Sequence, residues 1–118
     1  MEDLTQKKCV PCKGGIPPLT SEEIATYTPQ LKEGWKILEP TTPMKVDGLG
    51  KKLQKEFSFK DFKEAILFVN KVAEIAEQEQ HHPNIAIDYS KVEITLWTHK
   101  IVGLHENDFI LAAKIEQL

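Results

Sequence analysis

The chain has no apolar run approaching the roughly 20 residues that a membrane-spanning helix requires, and no basic run long enough to form a nucleic-acid footprint. Neither membrane insertion nor direct nucleic-acid binding is therefore expected. The formal net charge is only -3. Internal repeats and low-complexity segments are absent, and Met1 to Lys8 hold no apolar stretch that could act as a secretory signal. The expected location is the cytoplasm. Cysteine is scarce: Cys9-Val-Pro-Cys12 is the single pair. A structural zinc takes four ligands, and no second CxxC exists to supply the other two. The redox version of the motif opens a helix after a strand, whereas Gly14-Gly15 and Pro17-Pro18 follow here. Residues 1–18 are expected to form a flexible, extended arm with two reduced, inert thiols.

What remains reads as one globular domain over residues 19–118. The whole chain of 118 residues is 41% hydrophobic and 28% charged, ordinary proportions for a protein that buries its own core. Thr20 with Glu23 three residues later forms a capping-box pattern, predicting a helix that Pro29 ends near Thr28. Trp35 to Leu38 and Leu53 to Phe59 read as strands around a turn-rich loop. Lys60 to about Gln80 is the longest periodic stretch. Phe62, Ala65, Ile66, Val69, Val72, Ala73 and Ala76 fall at helical spacing. Phe68 and Ile75 widen that stripe, which implies a second contact, with the same core or with a partner chain. A final helix is expected from about Glu106 to Gln117, with Asp108 in its first turn and His105 as a poor cap or a surface residue.

Three of the four histidines, His81, His82 and His99, lie within nineteen residues. Between them, Ile85, Ile87 and Tyr89, then Val92, Ile94 and Leu96, alternate with more polar residues, a pair of strands. With the turn at Ser90-Lys91, Tyr89 faces Val92, Ile87 faces Ile94 and Ile85 faces Leu96. Extended to the strand ends, that register sets His82 opposite His99. Its one poor pair is Asp88 with Glu93. Pro83 disfavours helix at His82, so the histidines belong at a helix-to-strand junction. Glu77 precedes His81 by one helical turn, where it could orient the ring. Imidazole titrates near neutral pH and can give and take a proton in one cycle. The residues leave two readings open: a histidine cluster for acid–base chemistry, or surface histidines at a strand end.

The predicted order is α-β-β-α-β-β-α, an α+β two-layer domain with a four-stranded antiparallel sheet and helices mainly on one face. The pattern Glu77-x3-His81-His82-Pro83-x5-Tyr89-x9-His99-x8-Asp108, with Thr95-Leu96-x-Thr98-His99 and Gly103-Leu104, resembles the signature of the pterin-4a-carbinolamine dehydratases. The resemblance runs from about Thr20 to Leu118. It implies the same fold and the dehydration of 4a-hydroxytetrahydrobiopterin to quinonoid dihydropterin plus water, in tetrahydrobiopterin recycling. It further implies a homodimer or homotetramer working without metal or organic cofactor. On the matching positions, His81, His82 and His99 are the expected catalytic residues, with Glu77, Pro83, Thr98 and Asp108 around them. Trp97 is expected to help line a shallow pocket for the flat pterin. His81 and His99 are expected to move protons, and His82 to bind the pterin.

Three positions depart from the pattern. Gln80 stands where animal relatives carry an Asp, Ile85 replaces an aromatic, and His105 replaces a Ser or Thr. Animal relatives also serve as dimerisation cofactors of a homeodomain transcription factor. The rival function is therefore a non-catalytic dimerisation, assembly or transcriptional cofactor module on the same fold. A metal site built from His81, His82 and His99 is a second rival. Adjacent histidines alternate faces in a strand, which makes shared ligation awkward, and no metal is expected.

Overall fold

The structure, a computed structural model, describes residues 3–10, 14–42 and 44–118. Cys12 lies outside the described residues. Helix α1 spans Ser21–Tyr27. Its capping box is formed: the Thr20 hydroxyl accepts the Glu23 N–H at 3.2 Å, and the Glu23 carboxylate accepts the Thr20 N–H at 3.0 Å. Strands β1 (Lys36–Leu38) and β2 (Lys52–Ser58) are followed by α2 (Phe62–Glu79), β3 (Asn84–Asp88), β4 (Lys91–Leu96) and α3 (Glu106–Ile115). All neighbouring strands are antiparallel, in the order β1-β2-β4-β3. The α-β-β-α-β-β-α order and the α+β class are those read from the sequence. No helix among the described residues is long and apolar enough to cross a membrane.

Alternation along the central strands decides which face is buried. Leu53 pairs with Leu96, Phe57 with Val92, and Ile85 with Ile94, so these side chains share one face. They cluster with Ala65, Phe68 and Val72 of α2 and with Phe109, Ile110 and Ala113 of α3. Gln54, Glu56, Glu93 and Thr95 alternate with them and so point to the opposite face.

The capping box yields a direct test. Thr20→Ala removes one partner of an orphan helix N–H and is expected to cost about 1 kcal/mol. Urea unfolding should show a lower midpoint with an unchanged slope; an unshifted midpoint would contradict the role.

Two local expectations are corrected, the first and third below, and one left open, the second, is decided. First, the β3–β4 hairpin forms in another register. Ile87 faces Val92 rather than Ile94, and Ile85 faces Ile94 rather than Leu96. A slip of two residues keeps every side chain on its own face, so hydrophobic burial alone cannot separate the two registers. Charge separates them: the observed register sets Asp88 opposite Lys91 and relieves the Asp88–Glu93 pair. The turn falls at Tyr89-Ser90, with Tyr89 at φ 52. The ladder runs only from Asn84 to Leu96, so it does not pair His82 with His99.

Second, Phe68 belongs to this chain's own core. Its ring lies 4.7 Å from that of Phe57 and 4.9 Å from that of Phe59. Ile75 also packs against the core. The apolar residues that α2 leaves exposed are Phe62 and Leu67.

Third, the described part of the N-terminal arm is docked on the body. Residues 4–6 make a 3₁₀ turn against α3, and Leu4 is buried in the core. This explains the composition of α3. Phe109, Ile110, Leu111, Ala112 and Ala113 are all buried, and a helix apolar on every side must be covered on every side.

Candidate active site

Helix α2 ends in a chain reversal. Gln80 adopts the left-handed conformation (φ 53, ψ 40) and donates its N–H to the Glu77 carbonyl, while the His81 N–H reaches the Ala76 carbonyl at 3.1 Å. This is the paired hydrogen-bond pattern that closes many helices, usually with glycine at the left-handed position. It swings His81 and His82 off the helix axis before Pro83 and β3 begin.

The reversal also redistributes the histidines' partners. His81 does not meet Glu77. Its Nε2 lies 2.6 Å from Asp108 Oδ1, and the pair is nearly closed to solvent, with side-chain exposures of 13% and 0%. Glu77 instead meets His82, Oε1 to Nε2 at 2.7 Å, in an exposed pair. The other Asp108 oxygen, Oδ2, accepts the Thr98 hydroxyl and the His105 N–H, both at 3.0 Å. His105 is a working cap: its Nδ1 accepts the Asn107 N–H at 3.0 Å. One buried carboxylate in the first turn of α3 therefore takes three donors, one of them the imidazole of His81.

His99 starts a 3₁₀ turn, His99–Ile101, directly after the Thr98–Gly103 bridge. Its ring stacks on Trp97 at 4.3 Å between centroids and 19° between planes. The Lys52 ammonium lies 4.1 Å from the same indole centroid. His81, His82, Thr98 and His99 all line one open pocket of about 730 Å³. Glu77, Pro83, Trp97 and Asp108 do not line it. Asp108 stands behind His81, and Trp97 supports His99. Among the described residues, no three His, Cys, Asp or Glu side chains converge in a way that could hold a metal ion.

Sequence reasoning missed one side of this pocket. Cys9 and Val10 line it, together with Glu79 and Asn107. The Cys9 N–H donates to Glu79 at 2.8 Å, and the other Glu79 oxygen takes the Lys114 ammonium at 2.8 Å. Burial pushes the Glu79 carboxyl up, but the hydrogen bonds from Lys114 and Cys9 outweigh it and hold the group below its ordinary value. Burial, reinforced by the Glu79 charge, pushes the Cys9 thiol up to about 12. Cys9 is therefore a protonated thiol near neutral pH and a poor nucleophile. No local spacing signals the contacts of Cys9 and Val10, which join residues 70 to 98 positions apart.

The sequence and the fold match known proteins. The family model described as pterin 4 alpha carbinolamine dehydratase matches residues 17–118. The chain belongs to the pterin-4-alpha-carbinolamine dehydratase family. Relatives of the family in Rickettsia canadensis and Alkaliphilus metalliredigens, each named "Putative pterin-4-alpha-carbinolamine dehydratase", are 48% and 45% identical. The first alignment covers 98% of this chain and 97% of the relative, and the second 99% and 96%. A relative of the same name in Rubrobacter xylanophilus is 44% identical over the full length of both chains. The Rubrobacter alignment therefore includes residues 1–16 as well, which the family model leaves out. Among solved structures, the transcriptional coactivator/pterin dehydratase from Brucella melitensis superposes with a TM-score of 0.69 at 34% identity, covering 85% of this chain and 96% of that one. A pterin dehydratase-like RuBisCO assembly factor of the alpha-carboxysome, 23% identical, shares the fold with a TM-score of 0.56, covering 72% of this chain and 88% of that one.

Proposed function

We propose that this chain dehydrates 4a-hydroxytetrahydrobiopterin to quinonoid dihydropterin and water, as a cytoplasmic step in pterin recycling. The observation that carries the reading is the pocket lined by three imidazoles, one of them anchored on a buried carboxylate. The reaction is an elimination. A base takes the proton from the ring nitrogen beside the carbinolamine carbon. The nitrogen's electron pair forms the new C=N bond, the C–O bond breaks, and an acid protonates the departing hydroxyl as water.

His81 and His99 are assigned these two proton transfers. Asp108 fixes the orientation of His81. With Asp108 engaging Nε2, Nδ1 is left as the exchanging nitrogen. His82, steered by Glu77, binds the pterin and meets developing charge. Trp97 holds the plane of the His99 ring.

The test is a dehydration assay on the purified protein with the spontaneous rate subtracted. A rate no higher than spontaneous would reject the proposal in favour of a non-catalytic dimerisation or assembly module.

The working unit is proposed to be a homodimer or a pair of dimers. Among the described residues, strands β1 and β3 are free sheet edges, and Phe62 and Leu67 are half exposed on α2. Free edges and clustered apolar groups are commonly covered by a partner. Sedimentation equilibrium at micromolar concentration should give at least twice the 13.4 kDa chain mass. A monomer mass throughout that range would refute it.

A further inference from the structure

The N-terminal segment lies outside the span of the family model, yet it borders the histidine pocket and is held there by side chains of α2 and α3. Asn107 is 3% exposed and commits both ends of its carboxamide to one residue. Its Nδ2 donates to the Val10 carbonyl at 2.6 Å, and its Oδ1 accepts the Val10 N–H at 2.9 Å. That two-point grip fixes a peptide as a neighbouring strand would. Glu79 holds the Cys9 N–H, Lys7 reaches Glu106 at 2.9 Å, and Leu4 is buried. Such a set of anchors exceeds what an inert tail needs.

The anchors are shared with the acid–base machinery. Asn107 adjoins Asp108, the carboxylate of His81. Glu79 precedes His81 by two residues, on the last turn of α2. The segment and His81 are thus set by the same two junctions, so the distance between them is fixed by rigid elements.

We infer that residues 3–10 form a substrate-binding wall of the pocket, with the Val10 side chain as its contact to the pterin ring. The inference rests on reading the pocket as a pterin site. Val10 spends its backbone N–H and carbonyl on Asn107, so what it offers the pocket is its isopropyl group, and the residue is 56% exposed. The neighbouring lining from His81, His82, Thr98 and His99 is polar. A flat heteroaromatic ring bound between polar groups and one apolar wall is oriented by the first and desolvated by the second. Such a contact acts on bound substrate and transition state alike. It belongs in KM and not in kcat.

The experiment is steady-state dehydration by the full chain, in parallel with binding of biopterin followed by its fluorescence. Val10→Ser should raise KM and the biopterin Kd by roughly ten-fold, the low end for one lost apolar contact, with kcat within about two-fold of the parent. Asn107→Leu, which releases both grips, should do the same. The double variant should be no worse than the worse single one, because Asn107 acts through Val10. Unchanged KM and Kd in Val10→Ser would overturn the inference, and so would a fall in kcat at constant KM. Val10 is exposed, so this variant folds and decides the matter even if Asn107→Leu does not. If the parent chain binds biopterin in a Val10-dependent way without dehydrating the carbinolamine, the wall stands and the proposed reaction falls. If it binds no biopterin, both fall.

Discussion

His81→Ala and His99→Ala are each expected to slow dehydration by roughly 100-fold or more, the scale for losing a positioned acid or base. The two variants should part company in stability. His99 is exposed, and its ring contact is the Trp97 face, so its loss should leave the melting temperature close to the parent's. His81 is mostly buried and donates to a carboxylate with no exposed surface. Removing it leaves that oxygen without its partner, at a cost of about 1–3 kcal/mol. His81→Gln separates the effects, because an amide N–H can still serve Asp108 but cannot cycle a proton near neutral pH. It should recover most of the stability and none of the rate. Calorimetry and the dehydration assay check the two halves. Full activity in both alanine variants would remove the histidines from the chemistry.

Replacing Asp108 should have the largest combined effect. Its two oxygens serve His81, the Thr98 hydroxyl and the His105 N–H. Asp108→Ala strands three donors in a buried place and also removes half of the α3 cap. A loss of about 3 kcal/mol or more is expected, given 1–3 kcal/mol for each buried group left unpaired. Asp108→Asn keeps the shape but not the charge, and an amide nitrogen facing a ring N–H is a mismatch. Its rate should fall by roughly 10- to 100-fold, the usual effect of removing a partner that orients a working ligand or base. Asp108 does not line the pocket, so the loss should appear in kcat with KM nearly constant. An unchanged kcat would show that His81 needs no carboxylate behind it.

Features written in local spacing were legible beforehand. Thr20 and Glu23 announce a cap because both partners lie within one turn. The α2 period survives because buried positions recur every three or four residues. The α3 start was legible in Asp108 but not in His105, since imidazole is an unusual cap. The hairpin was half legible: period two chooses faces, and two registers two residues apart satisfy it equally. Only the placing of Asp88 opposite Lys91, and not with Glu93, separates them. The direction of Phe68 depends on Phe57 and Phe59 across the sheet, which no window on α2 contains. At the site, the His81, His82 and His99 set was visible because a sequence signature carries it. The pairing of Glu77 with His82 was not, because it depends on the left-handed turn at Gln80. Val10, Glu79 and Asn107 were invisible for a simpler reason: nothing near any one of them in the chain hints at the others.

The docking of residues 3–10 on α3 bears on how the protein is made. A chain leaving the ribosome presents Leu4, Cys9 and Val10 well before their partners around Glu106 and Asn107. The central β2–β4 pair likewise waits for α2 to cross between its strands. Both are contacts of large sequence separation, which slow folding because the loop must close before the contact repays it. Until α3 is made and docked, the apolar sheet face and Leu4 lack its cover, and His81 has no carboxylate. A chain without α3 therefore exposes an aggregation-prone apolar face, and the pocket comes into being only when that helix docks.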